Sequence, residues 1–333
     1  MTNSSHPRLL TSADRQGKIE RLRELLTDQV LASSAGGIIF SGGLDTSIVA
    51  AIATSHGRCL CGVMVSVAEG NGLDEPFART MADRLGLTLD ILRPSLHDLL
   101  ERMPELIALL QTFDPMELRN SIVAYLALEA ARNRSLSPVL TGDAADELFA
   151  GYSFMFNMPL ERLPAYIRHL NGIMHFTSQV IGRHLGIGVD CPYEMLAVRE
   201  FALSLEYEDL VGEFQGQRFG KKILREAFAS VLPEQITWRV KTPIEYGSGS
   251  TTLKQLTDQL VSDSEFAGEQ ERASAQDSVK LRDKEQYFYY RMFRKQLPPP
   301  IERPRDVKTC PECHGPVSRI DMSYCRICGA YPI

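Results

Sequence analysis

The chain has 333 residues, 44% of them hydrophobic and 23% charged, the proportions of an ordinary globular protein long enough for one large or two medium domains. Its net charge of −6 argues against broad, non-specific binding of nucleic acid. The opening MTNSSHPRLL has neither an apolar core nor a cleavage pattern, and no run approaches the ~20 apolar residues of a membrane span. A soluble, cytoplasmic protein without a membrane partner is therefore expected.

Residues 12–33 predict a helix, with Ile19, Leu22, Leu25, Leu26 and Val30 on one face. Ile38-Ile39-Phe40 is a short apolar run that reads as a buried parallel strand. Ser41-Gly42-Gly43 then lets the backbone turn tightly and approach a ligand, and from Leu44 apolar residues return at helical spacing. Strand, glycine turn and helix start make an anion site, because free N–H groups and the positive end of the helix dipole converge there. Asp45 has the wrong charge for that task unless a divalent cation lies between it and the phosphates.

Residues 61–67 read as a second strand, 77–85 as a helix and 87–92 as a third strand. Residues 95–135 look helical, with breaks at Pro104 and Pro115 and one strong helix from Leu118 to Ala131. Val139-Leu140 forms a fourth strand, Thr141-Gly142 a turn, and Asp143, Asp146 and Glu147 an acidic helix start. This alternation implies an α/β fold with a parallel twisted sheet flanked by helices. Acids favour helix N-termini in any case. An acidic loop beside a phosphate loop, however, puts both at the carboxyl ends of the strands, where such sheets bind ligands. Asp45 and Asp146 could then hold one Mg²⁺ against a bound phosphate group.

The string SGGLDTS at 41–47 resembles the PP-loop of ATP pyrophosphatases, and it lacks the GxxxxGK[ST] pattern of a P-loop. With TGDAADELFAGY at 141–152 it looks like the synthetase domain of asparagine synthetases, whose second motif commonly reads SGEGADELFGGY. Asp190-Cys191-Pro192-Tyr193, Lys222-Ile-Leu-Arg225, Trp238-Arg239-Val240-Lys241 and Lys284-Glu285 are similar to further family stretches, so the resemblance spans roughly residues 15–297. It implies an enzyme that uses ATP to adenylate a carboxylate and forms an amide with ammonia or an amine. Ser41, Gly42, Gly43, Leu44, Asp45, Thr46 and Ser47 would cradle pyrophosphate, Val67 at the second strand's end would meet adenine, and Thr141 and Gly142 would complete the ATP site. Lys241 would meet charge growing on the α-phosphate, with Asp143 and Arg119 as further catalytic candidates. Asp143 is one methylene shorter than the family's glutamate. The implied partners are a small carboxylate substrate and ammonia or an amine donor, and a separate glutaminase subunit is one source of the nitrogen. A tRNA-modifying PP-loop enzyme is the rival reading, and nucleic acid is the less favoured partner.

The chain has seven cysteines, four of them in the last 24 residues. Cys310-Pro-Glu-Cys313, eleven residues and Cys325-Arg-Ile-Cys328 match the paired knuckles of a tetrahedral Cys₄ zinc ribbon. The expected layout is a helical segment at 1–35, the nucleotide domain at 36–297, a stiff proline-rich linker at 298–309 and the ribbon at 310–333, set outside the sheet. ATP, Mg²⁺ and Zn²⁺ are the expected cofactors.

Overall fold

The computed structural model describes residues 12–304 and 306–333. Residues 1–11, and with them the expectation about the N-terminal decapeptide, lie outside the described residues, as does Arg305. In order, the first half comprises α1 Ser12–Ala32, β1 Gly37–Ile39, α2 Leu44–Ser55, β2 Cys61–Val65, α3 Glu75–Leu85, β3 Thr88–Leu92, α4 Leu96–Leu110, α5 Pro115–Asn133 and β4 Val139–Leu140. Then follow α6 Ala145–Leu148, α7 Ser153–Phe156, α8 Leu163–Ile173, α9 Thr177–Leu185, β5 Val189–Asp190, α10 Leu196–Leu203, α11 Tyr207–Leu210 and the hairpin β6 Gly212–Phe214 with β7 Gln217–Phe219. The last part holds α12 Lys222–Phe228, α13 Glu234–Thr237, α14 Ile244–Ser248, α15 Thr252–Leu260, α16 Asp263–Asp277, α17 Lys284–Arg294, β8 Lys308–Thr309 and β9 Pro316–Val317.

Five parallel strands form the sheet in the order β3-β2-β1-β4-β5. The chain lays β1, β2 and β3 outward in one direction, then returns to place β4 on the free side of β1. That reversal opens a crevice at the carboxyl ends of β1 and β4, where Ile38 pairs with Leu140. Because strand side chains alternate, the sheet feeds two cores. Ile38, Phe40, Met64 and Leu140 face α1, α2, α3 and α12, while Val63, Val65 and Val139 face α4, α5 and α17.

Three sequence expectations need correction, and one strand was missed. Pro104 does not break α4, which runs through it. The helix face Leu99, Met103, Leu106 and Ile107 is fully buried, and burying such side chains at about 1.5–3 kcal/mol each outweighs the roughly 3 kcal/mol cost of an internal proline. β2 stops at Val65, since the Val67 amide turns to donate to the Ser248 carbonyl at 2.9 Å. β5 is a strand too short to carry a period, and the sequence reading missed it. The proline-rich stretch is no extended spacer, because Pro299 and Pro300 are buried and residues 300–302 form a 3₁₀ turn. Consequently the four cysteines lie in the same core as Phe113, Tyr290 and Phe293.

Among the described residues, no helix is long and apolar enough to cross a membrane.

Candidate active site

The glycine turn after β1 shows why its residues are small. Gly42 holds a φ of +66°, and a Cβ there would come within 2.3 Å of the Ala78 amide nitrogen on α3. Gly43 caps α2 without a side-chain bond, so the first-turn amides of Leu44, Asp45 and Thr46 have no acceptor within the helix. Ser41 steadies the turn by accepting from the Gly43 amide at 3.2 Å. Next to it, after β4, the acidic loop starts α6 with Ala144 at a φ of 74° and ends it with Ala150 at 58°.

The two loops meet through a residue that the sequence reading missed. Lys221 is 3% exposed, and its Nζ lies 2.7 Å from both carboxylate oxygens of Asp45 and 2.7 Å from Asp146 Oδ1. Lys241 Nζ pairs with the other oxygen, Asp146 Oδ2, at 2.7 Å. The Lys221 backbone is anchored to the same loop by donating to the Phe149 carbonyl at 2.8 Å. Gly151 makes room for the side chain, since a Cβ there would sit 1.9 Å from Asp146 Oδ1 and 2.5 Å from Lys221 Cε. The signal for Lys221 was present as Gly220-Lys221-Lys222, but one of two adjacent lysines cannot be chosen without knowing which points inward.

This lattice of charge sets the protonation states. Burial opposes the charge on Asp146, yet the Lys221 and Lys241 ammonium groups hold it well below the usual carboxylate range. Burial likewise works against the charge on Lys241, and the Asp146 and Asp45 carboxylates hold it above the ordinary lysine range. Asp143 goes the other way: burial raises it, despite hydrogen bonds from Ser178 at 2.5 Å and Thr141 at 3.0 Å. Burial and the neighbouring Asp146 also raise Glu147, which accepts from the Tyr152 hydroxyl at 2.6 Å.

A cavity of about 360 Å³ runs from the loops across the strand ends. Ser41, Asp45, Thr46, Thr141, Gly142, Asp143, Asp146 and Lys241 line it, so the structure brings together most of the residues named from the sequence. A smaller cleft over Gly43 and Leu44 collects Lys221, Arg225, Arg239 and Lys241 around Asp45 and Asp74, so positive charge is in excess there. Outside that cleft the main cavity is also lined by Glu117, Asn120, Glu147, His175 and Ser178, and Lys241, shared with the cleft, is the only Lys or Arg among its described lining residues.

Three named residues are placed elsewhere. Ser47 is fully buried beneath the loop, its hydroxyl without a partner among the described residues. Val67 gives its amide to Ser248, and Ile39, Val63, Met64 and Val65 line the cavity in its stead. Arg119 does not line the cavity. Its guanidinium is held between Glu245 and Glu285, the latter at 2.5 Å, and its side chain is 14% exposed. It is a brace under the segment that follows Lys241, because both sides of its fork are already occupied by carboxylates.

The four C-terminal sulfurs converge, with all four Sγ atoms within 4.8 Å of one another. Cys310 and Cys328 are 3.7 Å apart, as are Cys313 and Cys325. A tetrahedron of sulfurs at the Zn–S length of about 2.3 Å has edges of about 3.8 Å. The cluster therefore fits a zinc ribbon.

The asparagine synthase family model matches residues 19–186 and 181–309. Over 303 residues the chain is 25% identical to the glutamine-hydrolyzing asparagine synthetase B of Escherichia coli (strain K12), covering 84% of this chain and 54% of that protein. Over 300 residues it is 24% identical to the glutamine-hydrolyzing asparagine synthetase of Zea mays, covering 83% and 49% respectively. The chain thus spans about half the length of these curated relatives. Among solved structures, an NMN synthetase from Francisella tularensis aligns at 15% identity and a TM-score of 0.39, covering 85% of this chain and 95% of that one. A U34-tRNA thiolase from Methanococcus maripaludis with its 4Fe–4S cluster aligns at 12% and a TM-score of 0.32, covering 91% and 85%.

Proposed function

The chain belongs to the asparagine synthase family, and from that premise we propose that it adenylates a substrate carboxylate with ATP and joins the acyl group to ammonia or an amine. The observation that carries the proposal is the convergence of Lys221 and Lys241 on Asp45 and Asp146 at the β1–β4 crevice.

In the first step a carboxylate oxygen attacks the α-phosphorus, the bond to the β-phosphate oxygen breaks, and pyrophosphate leaves. The protein's part is positioning and charge stabilisation. The amides of the α2 start hold the leaving pyrophosphate, and Lys221, Arg239 and Arg225 surround it with positive charge. Lys241 meets the charge that grows at the α-phosphate. Asp45 and Asp146, which converge on the Lys221 ammonium, supply hard oxygens, a donor type that suits Mg²⁺ beside that lysine, and the ion when bound would neutralise the pyrophosphate. In the second step the nitrogen attacks the acyl carbon, the bond to AMP breaks, and the released proton needs a base. Asp143, raised by burial and held by Ser178, is placed for that role.

The main cavity favours an amine-bearing ligand over a dicarboxylate. Glu117, Asp143 and Glu147 line the cavity against the single ammonium of Lys241, the one lysine or arginine among its described lining residues, so a second carboxylate buried among them would meet more negative than positive charge. A sulfur-transferring enzyme is less favoured, because burial and Asp143 push the Cys191 thiol up to about 12, far from a thiolate. For the ribbon we propose zinc rather than a cluster, since sulfurs that bind separate irons stand farther apart than sulfurs around one ion.

The test is ATP–pyrophosphate exchange screened across carboxylates, aspartate first and amine-bearing acids next. Exchange that depends on one carboxylate and on Mg²⁺ is expected. Exchange with bulk tRNA and with no carboxylate would overturn the proposal.

A further inference from the structure

Three separate stretches help to wall the main cavity: the start of α5 with Glu117 and Asn120, the turn from His175 to Ser178, and α14 with Ile244, Gly247 and Ser248. Each is tied to the cysteine ribbon by its own bonds. The Phe113 amide and the Thr112 hydroxyl both donate to the Ile327 carbonyl, at 2.8 and 3.0 Å. Gly329, at a φ of +74°, packs so closely on Asp114 that a Cβ would lie 2.4 Å from its carboxylate, and Asp114 caps α5 by accepting from the Met116 amide. The second stretch is held by two arginines of the ribbon. Arg326 donates to the Ile173 carbonyl at 2.7 Å and Arg319 to the Gly172 carbonyl at 3.3 Å, just before His175.

The third tie runs through α17. Gln286 and Arg282 both donate to the Cys328 carbonyl, at 2.8 and 2.6 Å. Glu285, the neighbour of Gln286, binds Arg119, and Arg119 binds Glu245 at the start of α14. The Ile327 and Cys328 carbonyls lie within the second Cys-x-x-Cys knuckle, so their directions depend on the cysteine ligands Cys325 and Cys328. So short a unit has little core of its own, and a metal must hold it. The cationic cleft is built differently. Leu44, Ile48, Ile223 and Leu224 pack in the core on the opposite face of the sheet from the cysteines.

We infer that the ribbon is a working part of the active site: its metal-ordered backbone, with Arg319 and Arg326, positions the walls that receive the second substrate, while the cationic cleft stands without it. The inference rests on the reading of the main cavity as the place of the second substrate, but its test does not use the chemistry. Arg326, Arg319, Gln286 and Arg282 are positioning residues.

The test is hydrogen–deuterium exchange of the full chain, read by peptide mass spectrometry with ATP and Mg²⁺ present, before and after a chelator removes the metal. Exchange should quicken by about tenfold or more at 112–124, 172–178 and 244–250, with residues 38–50 still protected. Quickening confined to 308–333, or spreading equally into 38–50, would overturn the inference. The Arg319→Ala, Arg326→Ala double variant keeps all four cysteines. It should retain one metal per chain and quicken exchange at 172–178 alone, and unchanged exchange there at full metal content also overturns it. Once a carboxylate supports turnover, the same variant should raise the KM for the second substrate and leave that for ATP unchanged. A failed carboxylate screen would count against the proposed reaction, whereas the exchange pattern would still decide the ribbon's role.

Discussion

The Lys221 ammonium sits between Asp45 and Asp146, 2.7 Å from each carboxylate. A buried cation shared by two anions cannot be removed cheaply, because the two negative charges are then left facing each other. Lys221→Met should lower ATP–pyrophosphate exchange by about 10²–10³-fold, the scale of one lost transition-state contact. It should also tighten Mg²⁺ binding, since Lys241 is then left to balance two carboxylates and a divalent ion supplies the missing charge. A Mg²⁺ titration of exchange activity reads both effects, and wild-type rates would remove Lys221 from the site.

Lys241 pairs with the other oxygen of Asp146, at the wall between the cationic cleft and the main cavity. Its charge is most useful when the α-phosphate becomes five-coordinate. Lys241→Ala should therefore lower kcat by about 10²–10³-fold with little change in ATP affinity. Equal losses in both would reduce Lys241 to a ground-state contact.

Arg119 is a brace, and its loss should show in stability. Glu285 is 1% exposed, so Arg119→Ala leaves a buried carboxylate unpaired at a cost of about 3–5 kcal/mol. Arg119→Met combined with Glu245→Gln and Glu285→Gln removes the charges together and should recover most of that loss. Urea denaturation of the two variants is the measurement. A cost below about 1 kcal/mol in the single variant would mean that the network is slack.

Asp143 should carry a stability penalty whose sign is opposite to that of a salt-bridged acid. Its folded pKa lies above the ordinary value of 3.8, so the folded chain holds a proton that the unfolded chain gives up. The penalty is fully present above the folded pKa and fades as pH falls towards about 4. Asp143→Asn should thus be more stable than the wild type at pH 7, with the difference shrinking in acid, while losing activity. Denaturation curves at pH 7 and pH 4.5 that give the same difference would contradict the shift.

Ala144 and Ala150 hold left-handed backbone angles, with φ of 74° and 58°, where a side chain costs about 1–2 kcal/mol. Ala144→Gly and Ala150→Gly should each gain about 0.5–1 kcal/mol, part of the relief being offset by the freer unfolded chain. Thermal unfolding checks this, and a lower Tm in both would show that the methyl packing outweighs the strain.

The glycine turn between β1 and α2 was legible because its cause is local. A strand, Gly42 and Gly43, and a helix start at Leu44 are adjacent in the chain, and their geometry follows from backbone sterics and the helix dipole. The same holds for the paired Cys-x-x-Cys knuckles, whose spacing alone sets four sulfurs around one point. The parallel sheet followed from the alternation of apolar periods, and with it the meeting of Asp45 and Asp146 at neighbouring strand ends.

Tertiary structure decided what no local pattern encodes. Whether Lys221 or Lys222 points inward depends on Gly151 and on the Phe149 carbonyl, some seventy residues earlier. Arg119 could have met a substrate or two glutamates, and only the packing of α17 and α14 against α5 chose the glutamates. The proline-rich stretch reads as a spacer by composition, yet Pro300 is buried, packed beside Gly315 of the ribbon, because the ribbon has an apolar face to hide and α17 shares its core. Sequence determines what each segment can do; burial decides which charges and carbonyls finally face one another, because an unpaired buried group costs more than any local preference is worth.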